Sequence, residues 1–292
     1  MRKIILKIYK GLGSRGFFKF LSSENYIKIL WYLKYGIKID LNNPKTFNEK
    51  IQWLKIHDYK KSYDSLVDKS VVKKYIADTI GSDYIIKTLW EGIDPDCIPY
   101  DKLPDKFVIK CTHGSHCCIV CKDKADLDKK MVNKKLRKWL KQNWFWYGRE
   151  PVYKDLKPAI LIEEYLEDKK YKELVDYKFY CFNGIPKFID VCTQRYSKER
   201  MCETYFDTNW NYLGFVTVGN GCVPDFEKPR SFELMMNIAK KLCKNYKFLR
   251  VDLYEVNGKV YFGELTFYSA SGFENLSPKE WNLKIGDMLD LE

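Results

Sequence analysis

Apolar positions return along this chain at two different spacings, and the switches between them separate expected helices from expected strands. Between Ser23 and Tyr35, Ile27, Leu30 and Trp31 recur at three- and four-residue steps, which predicts a short amphipathic helix. Thr46 with Glu49 three residues on has the form of a capping box, so a helix is expected through Ile51, Trp53, Leu54 and Ile56. Another is expected over 69–79, ending before Gly81, and then a strand over 84–89. Residues 92–105 are rich in Pro and Asp with few periodic apolar positions. They read as the boundary between a leading region and the remainder.

Beyond that boundary helix and strand signals interleave. A short strand over 107–110 opens into Thr112-His113-Gly114-Ser115, and a second follows at 118–120. A long basic helix is expected over 126–144, with Asp126 as its cap, and a strand over 159–166. Two hairpins are expected, 176–182 with 187–192 and 249–254 with 259–266, turned by Asn183-Gly184 and Asn257-Gly258. Short strands are expected at 206–207 and 215–218, and a striped helix over 232–244. Hairpins and helices without regular βαβ alternation imply an α+β protein with antiparallel sheet.

Composition narrows the function classes. With 292 residues, 46% hydrophobic and 31% charged, the chain is globular and long enough for one large domain or two lobes. Its net charge of +12 would draw polyphosphates, anionic sugars, nucleic acid or an anionic membrane. No zinc finger or RNP-type signature accompanies that charge, so no nucleic-acid partner is expected. No run approaches about 18 uninterrupted apolar residues, and no signal peptide is read at the start. The ten cysteines then fit reduced thiols in a cytoplasm. Arg2, Lys7, Lys10, Arg15 and Lys19, beside the helix at Ser23–Tyr35, suit peripheral contact with an anionic membrane. Packing of this leader on its own domain is the preferred alternative.

Cys111, His113, His116, Cys117, Cys118 and Cys121 are zinc-capable residue types at close spacing. They lack a second clean pair, and adjacent Cys117 and Cys118 would point to opposite faces of a strand. Buried thiols beside a functional loop are the preferred reading.

The terminal hairpin carries the chemistry of greatest interest. Regular pairing from the Asn257-Gly258 turn sets Asp252 opposite Gly263 and leaves Glu264 on a diagonal. A bulge or one-residue shift would bring both carboxylates to one face, where they would make a Mg²⁺ site completed by substrate phosphates. Surface charge is the plain alternative, weakened by the apolar neighbours Val251, Leu253, Phe262 and Leu265. Arg250 shares the strand face of Asp252 and has the fork to hold a phosphate or carboxylate. Lys110 ends its strand where it could reach phosphate oxygens, with the amides of the following loop opposite. Lys178 sits between Tyr177 and Phe179 as a second candidate, and Glu163, Glu164 and Asp168 lie where a strand-to-loop hinge could read adenine and ribose. No Ser-His-Asp arrangement or G-x-S-x-G elbow is present.

These pieces, in order, resemble the TupA-like ATP-grasp proteins associated with teichuronopeptide, capsule and other surface-polysaccharide clusters. The resemblance runs from Pro44-Lys-Thr-Phe-Asn-Glu-Lys-Ile-Gln-Trp53 through Asp68-Lys69 and Val72-Lys-Lys-Tyr75. It continues through Phe107-Val-Ile-Lys-Cys-Thr-His-Gly-Ser115, Ile162-Glu-Glu-Tyr-Leu166 and Asp176-Tyr-Lys-Phe179, and closes with Arg250-Val-Asp-Leu253 and Gly263-Glu-Leu-Thr-Phe267 before Gly272. It implies an ATP-grasp fold of two lobes with antiparallel sheets clasping ATP, after a mainly helical N-terminal region. The expected division is 1–98, 99–168 and 169–292. By the same resemblance Lys110 contacts ATP phosphates under the loop of His113, Gly114, Ser115 and His116, with Lys73 or Lys74 assisting. Glu163, Tyr165 and Leu166 resemble the adenine hinge, and Lys178 the second nucleotide lysine. Asp252 and Glu264 resemble the carboxylates for Mg²⁺, or alternatively Mn²⁺, and Arg250 the arginine that steadies an acyl phosphate.

Two positions depart from the family pattern: Thr266 stands where many relatives have asparagine, its hydroxyl still expected to help coordinate Mg²⁺, and His116 where a glycine is usual. The implied activity is ligation of a carboxylate to an amine through an acyl phosphate. The expected substrates are an anionic sugar or glycan precursor, such as a uronic acid, and an amino acid or small amine. A sugar kinase using the same ATP site and a glycosyltransferase of the same pathway are the alternatives.

Overall fold

The computed structural model describes residues 1–194 and 200–292. Five helices come first: α1 (Arg2–Ser14), α2 (Ser23–Tyr35), α3 (Phe47–His57), α4 (Asp64–Val67) and α5 (Val72–Thr79). Then follow β1 (Thr88–Gly92), β2 (Phe107–Cys111), β3 (Cys118–Cys121), α6 (Lys129–Leu140), α7 (Phe145–Gly148) and β4 (Ile160–Glu164). The last part holds β5 (Asp176–Phe182), β6 (Ile185–Thr193), β7 (Cys202–Asp207), β8 (Val216–Thr217) and α8 (Phe232–Cys243). It ends with β9 (Phe248–Val256), β10 (Lys259–Thr266), β11 (Leu276–Ser277) and α9 (Trp281–Asp287). Two compact units result, one of residues 1–40, 55–74 and 86–165, the other of 41–54, 75–85 and 166–292. The α+β class expected from the interleaved pattern is the one observed.

The first unit is built on an antiparallel sheet in the order β1-β4-β2-β3. Alternation along β2 puts Phe107, Ile109 and Cys111 into the core, with Ile160 and Ile162 of β4 and with Val132 and Leu136 of α6. Val108 and Lys110 therefore face the other way. Asp128, not Asp126, caps α6, its carboxylate accepting the Met131 amide at 2.9 Å. The helix thus begins three residues later than expected. In α5 the expected first turn is taken over by the Asp68 side chain, which accepts the amides of Ser70 and Val71 and delays the helix to Val72. The strand expected over 84–89 is instead a 3₁₀ turn at Ser82–Tyr84 followed by β1. Pairing with β4 starts only where Thr88 meets Glu163.

The second unit carries an antiparallel sheet in the order β10-β9-β5-β6-β7 and a two-stranded piece, β11-β8. One face is apolar: Tyr177, Phe179, Ile189, Val191, Val251 and Leu253 are buried on the side served by α8, whose Met235, Ile238, Ala239 and Leu242 are buried in turn. Both hairpins turn where expected, with Asn183 and Asn257 at φ 48° and 53° and the glycines after them at 78° and 81°. Positive φ at both positions is what a tight two-residue turn needs. The capping box is also present, since the Glu49 carboxylate accepts the Thr46 amide at 2.9 Å and the Thr46 hydroxyl accepts the Glu49 amide at 3.3 Å.

Candidate active site

In the first unit the polar face of the sheet gathers around Glu163. Its carboxylate accepts Lys110 Nζ at 2.8 Å and Lys73 Nζ at 2.6 Å, and Lys73 also donates to Thr88 Oγ1 at 2.7 Å. Burial alone would raise the Glu163 carboxyl, but Lys110 and Lys73 outweigh it and hold the group below the usual carboxylate range. Of the two assisting lysines considered, Lys73 is the one joined to Lys110 through a shared partner. Glu164 is exposed, and the Tyr165 ring lies 5.7 Å from Lys106 Nζ.

The loop after β2 is held from beneath. Gly114 leaves no room for a side chain, because a Cβ there would lie 1.9 Å from the Trp144 ring, and its carbonyl accepts Lys69 Nζ at 2.8 Å. His113 is turned inward, with Nε2 3.3 Å from the Trp139 carbonyl oxygen and its pKa lowered, chiefly by burial. Ser115 is half-buried and His116 exposed. His116 takes the left-handed conformation, φ 59°, which glycine adopts without a Cβ penalty and histidine does not. Cys111 and Cys117 face each other in the core, the Cys111 amide donating to the Cys117 carbonyl, while Cys118 pairs with Lys110 and shares its face. Among the described residues no group of three or more His, Cys, Asp or Glu forms a metal-holding set.

In the second unit a bulge decides the site. From the turn to Phe262↔Leu253 the hairpin pairs regularly, but Gly263 is then passed over and Glu264 pairs with Asp252. Glycine is required there, since a Cβ would fall 2.9 Å from the Asp252 carbonyl oxygen and 3.0 Å from the Tyr254 ring. One sheet row now reads Glu264, Asp252, Lys178, Asp190 and Tyr205, and the next holds Thr266, Arg250, Tyr180 and Phe188. The apolar neighbours Val251, Leu253 and Leu265 lie on the opposite face.

Arg250 grips Asp252 with two hydrogen bonds, at 2.8 and 2.6 Å, reaches Glu264 at 3.4 Å and donates to Ser269 Oγ at 3.2 Å. Lys178 is buried and donates to Asp190 at 2.8 Å and Glu203 at 3.2 Å. Burial would strip its proton, but Asp190 and Glu203 keep it charged. Glu203 also accepts Asn220 Nδ2 at 2.6 Å, and Glu274 accepts Ser269 Oγ at 2.8 Å. Among the described residues five carboxylates thus share this face with two cations, so a further positive group would be favoured. Asp168 is not free: its carboxylate accepts the amides of Lys170, Tyr171 and Asn257. Leu166 is half-buried in the same unit.

Sequence reasoning did not single out Asp190, Glu203, Tyr180, Ser269 or Glu274. The signal for Asp190 lay in the first hairpin, where a bulge between Tyr180 and Cys181 shifts the pairing and puts Asp190 opposite Lys178. Burial lifts the Asp190 carboxyl to about 7 against the pull of Lys178, and Oδ1 is buried with no hydrogen-bond partner among the described residues. Asp252 and Glu274 are lifted in the same direction, again chiefly by burial. A carboxyl with a higher pKa folded than unfolded takes up a proton on folding, so its contribution to stability falls as pH rises between the two values. For one such group the slope approaches about 1.4 kcal/mol per pH unit between about pH 4 and pH 7. Asp190→Asn should therefore lose less melting temperature than wild type between about pH 5 and pH 7.5. Parallel pH profiles would remove Asp190 as their source.

The family model described as TupA-like ATPgrasp matches residues 49–290. A D-alanine–D-alanine ligase from Bacillus anthracis, solved with ATP, is similar at 17% identity and a TM-score of 0.43, covering 71% of this chain and 57% of that one. An N5-carboxyaminoimidazole ribonucleotide synthetase solved with ADP gives 12% identity and a TM-score of 0.45, covering 85% and 58%. An L-amino acid ligase from Bacillus licheniformis gives 10% and 0.44, covering 87% and 55%. The chain spans less than two thirds of the length of each. No curated protein matches.

Proposed function

Because the chain belongs to the TupA-like ATPgrasp family, we propose that it is an ATP-dependent carboxylate–amine ligase. Its carboxylate would be a uronic acid or related group of a surface-polysaccharide precursor, and its amine an amino acid or small amine. The observation that carries this reading is the bulge at Gly263, which sets Asp252 and Glu264 side by side. That donor set fits Mg²⁺, with Mn²⁺ as an alternative, because hard cations take carboxylate oxygens and leave positions for phosphates. The Asp252 pKa is raised, first by burial and further by Glu264, against the pull of Arg250, which supports a site that would accept more positive charge. Thr266 would add a neutral oxygen close by. When bound, the ion would neutralise charge on the transferring phosphoryl group.

The remaining roles fall to the chain's own groups. Lys110 and Lys73 would present their ammonium groups to ATP phosphates, with Glu163 fixing both in place. The substrate carboxylate attacks the γ-phosphorus, ADP leaves and an acyl phosphate forms. Arg250 would hold the anionic acyl phosphate through guanidinium donors, with Asp252 keeping the fork oriented. The amine then attacks the acyl carbon, phosphate leaves, and one proton must be removed. Asp190, with its pKa near neutrality, is suited to hold that proton. Lys178, kept charged by Asp190 and Glu203, would act on the nucleotide or hold the carboxylates in place. The net charge of +12 favours anionic substrates. The reaction would take place in the cytoplasm, where ATP is available.

Product analysis tests this directly. The protein would be incubated with Mg²⁺-ATP and a panel of uronic acids, with and without pooled amino acids and amines. Amine-dependent release of ADP and phosphate with a product of amide mass is expected. A phosphorylated sugar formed without amine would replace the ligase by a kinase. If neither turnover nor ATP binding occurs, the enzyme reading fails.

A further inference from the structure

The N-terminal segment has a surface that the chemistry above does not use. Helix α1 presents three stripes. Tyr9 and Gly13 face inward, Tyr9 stacking on Phe18 at 4.6 Å and on Tyr26 at 4.9 Å. Gly13 sits so close that a Cβ would lie 2.1 Å from the Tyr26 hydroxyl, so this face is closed by α2. The second stripe, Ile4, Ile5 and Ile8, lies outward with exposures of 66%, 45% and 56%. Soon after the helix, Phe17 and Phe20 are exposed at 62% and 74%. Single exposed apolar residues are ordinary, but five large ones within 17 residues of one segment are not. The third stripe is Lys3, Lys7 and Lys10, all exposed. Between residues 1 and 23 there are six basic residues, Arg2, Lys3, Lys7, Lys10, Arg15 and Lys19, and no acidic one.

We propose that this segment docks on an anionic lipid bilayer, with the isoleucines and phenylalanines entering the headgroup–acyl boundary and the basic residues meeting lipid phosphates. Charge decides the occupant. A second copy would bring the same six positive charges against the first. A nucleic acid would answer the charge but leave Ile4, Ile5 and Ile8 in water. An anionic membrane satisfies both stripes. No helix among the described residues is long and apolar enough to cross a membrane, so the contact is one of lying on the surface. The two lysine-bearing stripes of chemistry, around Glu163 and around Lys178, are not part of it. The proposal stands apart from the ligase reading.

The test is co-sedimentation of the full chain with vesicles of phosphatidylcholine containing about one third phosphatidylglycerol, and with phosphatidylcholine alone. Binding to the anionic vesicles is expected, with at least a tenfold loss on neutral vesicles and a marked loss at high salt. Ile4→Ser with Ile8→Ser, Phe17→Ser with Phe20→Ser, and Lys3→Gln with Lys7→Gln and Lys10→Gln should each weaken binding about tenfold or more, with unchanged melting temperature. Absence of binding to the anionic vesicles overturns the proposal, as does full binding by the isoleucine and phenylalanine variants. A dimer in light scattering that the isoleucine substitutions dissolve would give the surface to a second copy instead. Amide formation from soluble substrates is measured separately, so failure of either idea leaves the other distinguishable.

Discussion

Glu264→Ala should cut turnover by about a hundredfold or more while leaving the protein folded. The Glu264 side chain is one-third exposed (33%), whereas that of Asp252 is 5% exposed. Its removal leaves the paired hydrogen bonds between Arg250 and Asp252 intact, so the stability cost should stay within about 1 kcal/mol. The cation proposed to neutralise the transferring group would, in contrast, lose one of its two carboxylate ligands, and ADP release should fall by about 10²- to 10³-fold. Asp252→Ala is a poorer probe. It strips the largely covered Arg250 of its main partner and should cost about 3–5 kcal/mol, mixing unfolding with lost chemistry. Nucleotide product analysis beside a melting curve separates the two effects. Near-normal turnover in Glu264→Ala would remove this carboxylate pair from the reaction.

The second large effect is expected at Glu163, where two roles compete. As an adenine reader, it could be replaced by Gln with loss of ATP affinity and little loss of stability. As the shared partner of Lys110 and Lys73, it cannot lose its charge without exposing two ammonium groups to mutual repulsion. The lysine side chains are 21% and 18% exposed, so solvent relieves part of that penalty. Glu163→Gln should therefore cost about 2–3 kcal/mol, toward the lower end for breaking a buried ion pair. The loss should be present with or without nucleotide. A variant as stable as wild type but weak for ATP would return Glu163 to the hinge role.

Much of the fold was legible where local chemistry dominates. The Asn-Gly dipeptides set both hairpin turns because their backbone tolerates positive φ, and the Thr46–Glu49 box set a helix start. Errors arose where a side chain competed for backbone groups. Asp68 and Asp128 bind nearby amides and so begin α5 and α6 later than the apolar rhythm suggests. In the candidate site, the residue types were readable but their partners were not. Asp168 was readable as a ribose partner, but the three backbone amides its carboxylate accepts were not. His113 was readable as part of a phosphate loop, but the turn of its ring toward the Trp139 carbonyl was not. Lys178 was visible between two aromatics, whereas its partners Asp190 and Glu203 depend on strands whose pairing is shifted by a bulge or set by non-local contacts.

The skipped residue at Gly263 also bears on how this protein can change over time. A one-residue deletion inside a strand is ordinarily among the most damaging changes to a sheet, because it turns every later side chain to the wrong face. Loss of Gly263 would instead give β9 and β10 an uninterrupted ladder, with Glu264 taking the next place after Phe262 opposite Asp252 and keeping its face. Insertion of a second residue beside Gly263 would move Glu264 and Thr266 one place further from Asp252 and Arg250. In this hairpin shortening is therefore the tolerated direction and lengthening the inactivating one, a bias that length variation among descendants of this chain should carry.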